Sequence, residues 1–125
     1  QRQFPARLGE RIDPARDLAR TTQSRTLAMF ARHITIQIQP GKMDEAIRTY
    51  RDSVVPASRE QKGCRSMQLL TDATTGKCVS ISIWDSEANQ KASEDNGYMQ
   101  QQIAKFGAFM TGPPVREAYR VSVKT

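Results

Sequence analysis

Phe30-Ala31-Arg32-His33-Ile34-Thr35-Ile36-Gln37-Ile38-Gln39, closed by Pro40-Gly41, is the stretch that decides how the chain folds. From Ile34 to Gln39 apolar and polar residues alternate strictly, and Phe30 shares the phase of the three isoleucines. A period of two is the mark of a half-buried strand, and Pro-Gly ends it. The period then changes. Met43, Ala46, Ile47, Tyr50, Val54 and Val55 recur at helical spacing, with Arg48, Arg51, Asp52 and Arg59 on the other face. This predicts an amphipathic helix over 42–61. Pro56 lies inside it and should kink it, because proline lacks a backbone donor and crowds the preceding turn.

Beyond Lys62-Gly63, strands are expected over 64–71 and 77–84, joined by a turn over 72–76. Val79, Ile81 and Ile83 alternate with Ser80, Ser82 and Trp84 in the second of these. Asp85-Ser86 offers a cap for a short helix reaching about residue 93, broken by Asn96-Gly97. Met99, Ile103, Phe106 and Met110 mark another helix over 98–110, ended by Thr111-Gly112-Pro113-Pro114. A last strand spans 115–123, with Val115, Tyr119, Val121 and Val123 in one phase. The order β-α-β-β-α-β is the α+β, ferredoxin-like pattern.

This pattern occupies 29–125, and 1–28 precede it as an arm. Before residue 28 every basic residue is Arg, six of them against three acids. Asp13-Pro14 can start a short helix there, but its apolar face is thin. At 125 residues the chain holds one ordinary core. Apolar residues make up 38%, too many for a disordered chain. The net charge of +6 is spread along the chain without an aromatic stacking platform, so no nucleic-acid partner is expected. No apolar run is long enough to suggest a membrane span or a signal-peptide core, and a cytoplasmic location is expected.

Cys64 and Cys78 fall on neighbouring strands, offset by roughly 20 Å along the hairpin at the rise of a strand. A disulfide needs Cα atoms within about 7 Å, so both are expected as free thiols. Two cysteines and one histidine are also too few for a structural zinc site.

From residue 31 to 123 the chain resembles the antibiotic biosynthesis monooxygenase family of dimeric α/β barrels. The resemblance is carried by Ile36-Gln37-Ile38-Gln39-Pro40-Gly41-Lys42 before an amphipathic helix, Lys62-Gly63-Cys64, and Ser82-Ile83-Trp84-Asp85-Ser86. Tyr98 and then Pro113-Pro114 follow in the expected order. It implies a homodimer, with a pocket in each subunit between sheet and helices that takes a small hydrophobic or aromatic ligand. It further implies a monooxygenase that uses no cofactor and acts on a phenol or quinol. In such chemistry the protein supplies placement and desolvation more than a nucleophile. The alternative is a non-catalytic dimeric domain, binding a small molecule or associated with stress, whose interior its own side chains fill. Haem-degrading relatives place an axial histidine after the third strand's tryptophan, and 85–110 contain none.

Each candidate site residue carries two readings. The resemblance places a pocket aromatic at Trp84, which otherwise is a core residue whose indole N–H needs an acceptor. His33, the only histidine, suits proton transfer near neutral pH, or lies at the dimer face or sheet edge. Tyr98 can hydrogen-bond a phenolic substrate, or face solvent at its helix start. Asn89 can orient a substrate oxygen, as pocket amides do in relatives, or, since no clear motif matches its position, have no part in the site. Phe106, Phe109 and Met110 read as core first and substrate-binding wall second. The adjacent pair Glu94-Asp95 reads as a solvated helix end. Opposite the helices, His33, Thr35 and Gln37, expected beside Ser80, Ser82 and Ala118, form a mixed face suited to a second copy.

Overall fold

The computed structural model describes residues 28–125, so the arm over 1–28, and its candidate helix, lies almost wholly outside the described residues. The elements are β1 (Phe30–Gln37), α1 (Met43–Thr49), a π-helical turn (Tyr50–Val54), α2 (Val55–Ser58), β2 (Cys64–Asp72) and β3 (Lys77–Trp84). They continue with α3 (Glu87–Asp95), α4 (Tyr98–Ala104) and β4 (Val115–Arg120). The four strands form one sheet in the order β2-β3-β1-β4, every neighbour antiparallel. This is the ferredoxin-like α+β fold that the alternating periods predict.

The helices cover one face of the sheet. Ile34, Ile36 and Ile38 meet Ala46, Tyr50, Val54, Cys78 and Phe106 in the core. Cross-strand neighbours in an antiparallel sheet share a face, so the register assigns each residue. His33 stands opposite Ile81 and Glu117, whereas Arg32 stands opposite Ser82 and Ala118. Ser80, Ser82 and Ala118 therefore point to the helices, contrary to the expectation that they flank His33. The open face carries Val79, Ile81 and Ile83 instead, together with Leu70 and Tyr119.

The larger departures from the sequence reading each have a physical reason. The helix expected over 42–61 is interrupted by the π-helical turn immediately before Pro56. Proline crowds the carbonyl four residues earlier, and a widened turn relieves that contact without a sharp break. The helix expected to reach 110 stops at Ala104. There the chain turns so that the Phe109 carbonyl accepts from Gln39 N–H at 2.7 Å and Thr111 N–H donates to Gln37 at 3.0 Å. Backbone pairing with the end of β1 replaces the last helical turns. The final strand ends at Arg120, opposite Phe30, where β1 begins; one more backbone bond, from Val121 N–H to the Met29 carbonyl at 2.8 Å, closes the pairing.

The hairpin holds Cys64 opposite Trp84 and Cys78 opposite Thr71, and both thiols are free.

Candidate functional site

A cavity of about 40 Å³ lies between the sheet and the helices. Most of its wall is apolar, from the β1 isoleucines, Met67, Leu69, Met99, Ile103 and Phe106. Its polar contributors are Arg32, Tyr50, Ser80, Ser82, Tyr98 and Gln102, with the Cys78 thiol beside them. No carboxylate or imidazole lines it.

Arg32 continues the apolar phase of β1 and is only 3% exposed. Its Nη1 donates to Ser93 Oγ at 2.8 Å, to Glu94 Oε2 at 3.2 Å and, at 3.4 Å, to the Gln90 carbonyl. Arg116 Nε donates to the same Glu94 oxygen at 2.8 Å. Glu94 thus joins the buried Arg32 to the exposed Arg116, which corrects its reading as part of a solvated helix end, whereas Asp95 beside it is exposed as that reading expects. Burial lowers the Arg32 pKa from its usual value, and the hydrogen bond and charge of Glu94 oppose that shift. The guanidinium lies over the Trp84 ring, 5.0 Å from its centroid, in a cation–π arrangement.

Trp84 is fully buried, and its indole Nε1 donates to Ser82 Oγ at 2.9 Å. It stands behind Arg32, outside the set of residues that line the cavity. Tyr98 packs edge-on to it, with ring centroids 6.4 Å apart. The Asn96 side chain accepts from Tyr98 N–H at 2.9 Å, which fixes the start of α4 and turns the phenol inward. Its hydroxyl is buried without a hydrogen-bond partner among the described residues. Burial pushes its pKa up to about 12, so it remains a donor at neutral pH. Arg32 and Tyr98 influence each other's ionisation across the cavity end. Tyr50, by contrast, is satisfied by the Gln68 carbonyl and Ser80 Oγ, both at 3.0 Å.

The other candidates lie elsewhere. His33 sits on the open face, edge-on to Tyr119 at 5.7 Å. Asn89 is on α3, where its backbone N–H donates to the capping Ser86 Oγ at 3.1 Å. Its side chain packs where a Cβ on Gly63 would stand, 2.4 Å from Nδ2. Phe106 is in both core and cavity wall, while Phe109 and Met110 pack against the core without lining the cavity. Tyr98 and Phe106 are therefore brought together at the cavity, and His33, Trp84 and Asn89 are not. Burial raises the pKa of both Cys64 and Cys78, so neither is an activated thiolate.

The model of the antibiotic biosynthesis monooxygenase family matches residues 29–105. The chain belongs to that family. Two uncharacterised Mycobacterium tuberculosis proteins resemble it. One is 38% identical over 65 residues, 52% of this chain and 28% of the relative. The other is 36% identical over 67 residues, 54% and 30% respectively. This chain thus spans less than a third of the curated relatives' own length. Among solved structures, one described as an antibiotic biosynthesis monooxygenase of Caulobacter crescentus superposes with a TM-score of 0.65. It is 22% identical, over 83% of this chain and 99% of that one. A Streptomyces coelicolor monooxygenase, from the gene ActVA-Orf6 and in complex with nanaomycin D, also gives 0.65. It is 17% identical, over 78% and 91% of the two chains. At these identities the likeness is one of fold. No described helix is long and apolar enough to cross a membrane.

Proposed function

We propose that the cavity of this family member takes a small aromatic phenol or quinol, and that the protein oxygenates it without a cofactor as a two-fold dimer. The observation that carries the reading is the buried, unpartnered Tyr98 hydroxyl at the polar end of an otherwise apolar cavity. A buried donor left unmade costs about 1–3 kcal/mol, and a ligand oxygen would recover it. In the reaction, a phenolate gives one electron to O2 and the radical pair combines at the ring. Loss of water then leaves a quinone, so phenol plus O2 becomes quinone plus water. The cavity wall holds no base, so the substrate must lose its proton to solvent, and turnover should rise with pH through the substrate's own ionisation.

The size of the cavity favours a second reading. Ligand pockets usually measure about 300–1,000 Å³, whereas 40 Å³ suits ordered water. Catalysis requires the wall to open, and the unbranched Met67 and Met99 are the side chains best able to rearrange. A non-catalytic domain would keep its interior closed. Oxygen uptake with a panel of quinols and polycyclic phenols separates the two. Uptake that falls at least about tenfold in Tyr98→Phe, and is unchanged in His33→Ala, supports the oxygenase. No uptake with any of the panel leaves the binding domain.

A further inference from the structure

Three buried polar atoms lack a partner among the described residues: Arg32 Nε, Gln90 Nε2 and Tyr98 Oη. Two are pure donors, and the third is a phenol that keeps its proton. Among the described residues, then, these buried hydrogens lack the acceptor that would complete them. Of the three side chains, Arg32 and Tyr98 line the cavity.

The direction of the shortage follows from how Arg32 is held. Among the described residues its hydrogen bonds all leave through Nη1, toward α3. Nε lies on the opposite edge of the planar guanidinium, the edge that meets a carboxylate side-on. Charge points the same way. Arg32 and the exposed Arg116 share the carboxylate of Glu94, so among the described residues the buried Arg32 has only part of one carboxylate as counter-charge. Buried charge is strongly disfavoured unless paired.

We propose that the cavity accepts an apolar monocarboxylate, its carboxylate on Arg32 and Tyr98 and its hydrocarbon portion against the β1 isoleucines and Phe106. This rests on the cavity being a ligand site and names a class of ligand for it. Glu94 and Ser93 then act as positioning residues that fix Nη1 and so aim the Nε edge. A carboxylate held by charge-assisted bonds should bind about tenfold more tightly than a neutral analogue of the same shape.

Trp84 is the only tryptophan, so its indole N–H gives one NMR resonance beside the Arg32 guanidinium. Titration of the full chain with benzoate, benzamide and phenol, each followed at that resonance, tests the proposal. Benzoate should bind about tenfold more tightly than benzamide. That preference should shrink several-fold in Tyr98→Phe, which removes one oxygen only, and vanish in Arg32→Met. If benzamide or phenol binds as tightly as benzoate, the carboxylate proposal fails while the aromatic-cavity reading stands. If none of the three shifts the resonance at millimolar concentration, both fall and water is the missing acceptor.

Discussion

Arg32 shows what a side chain costs when it is placed against its own pattern. It stands in the phase of Phe30, Ile34 and Ile36, and that anomaly is visible in the sequence. The strict alternation from Ile34 onward drew the reading to His33 on the opposite face. What the sequence could not supply is the partner, because Glu94 lies 62 residues away on α3. Removing one member of a buried ion pair strands the other: Glu94→Ala strands the buried Arg32, whereas Arg32→Met leaves Glu94 its second partner, Arg116. Glu94→Ala should therefore cost on the order of 3 kcal/mol, and Arg32→Met distinctly less, in urea unfolding at pH 7. Equal losses would mean that the cation–π contact with Trp84 outweighs the ion pair. Tyr98 carries a pH-dependent counterpart. Its phenol ionises near 10 when unfolded and at about 12 when folded, so the unfolded chain releases its proton first. The stabilisation from keeping Tyr98 neutral is intact below pH 10 and is lost as the pH rises toward 12. Urea midpoints measured between pH 9 and 12 should fall, and more gently in Tyr98→Phe.

At the scale of elements, period and punctuation located every strand and helix of the domain, and β3 was delimited to the residue. The errors lie where tertiary hydrogen bonds compete with a local pattern. Met99, Ile103, Phe106 and Met110 keep helical spacing, yet the chain leaves the helix at Ala104 to pair with Gln37 and Gln39. No local signal announces a partner so distant in sequence. The β2–β3 turn shows the same long-range control. Gly76, at φ +80°, accepts from Ile38 N–H at 2.8 Å and tucks the hairpin against the end of β1. A Cβ there would stand 2.6 Å from the Ile38 carbonyl oxygen, and Ile38 is buried and cannot yield. Gly41, at φ +82°, has nothing within 4 Å. Gly41→Ala should cost only the left-handed backbone penalty, about 1 kcal/mol, and Gly76→Ala about 3 kcal/mol or more. Thermal unfolding of the two variants isolates the steric part, and equal costs would show that the hairpin moves freely from β1.

For the whole molecule, the feature that bears on assembly is the open face of the sheet. Its register aligns Leu70 with Val79, and Ala31 with both Ile83 and Tyr119, while Ile81 stands between Gln68 and His33. Half of the Tyr119 surface and half of the Leu70 surface remain exposed. The sequence reading expected a second copy on this face but populated it with Ser80, Ser82 and Ala118. The aliphatic row found in their place strengthens the case, because an apolar patch of this kind is seldom left to water. A two-fold pair would lay Ile81, at the centre of the row, against its counterpart or a near neighbour. The competing occupant is the chain's own first 27 residues, and the two are separable. If a second copy covers the face, both the full chain and the fragment 28–125 should sediment as dimers at micromolar concentration. Ile81→Arg should make both monomeric, because it would bury two unpaired guanidinium groups in one interface, at a cost of several kcal/mol. A monomeric full chain whose fragment alone associates would instead assign the face to the first 27 residues, and a fragment that fails to fold would show them to be structural.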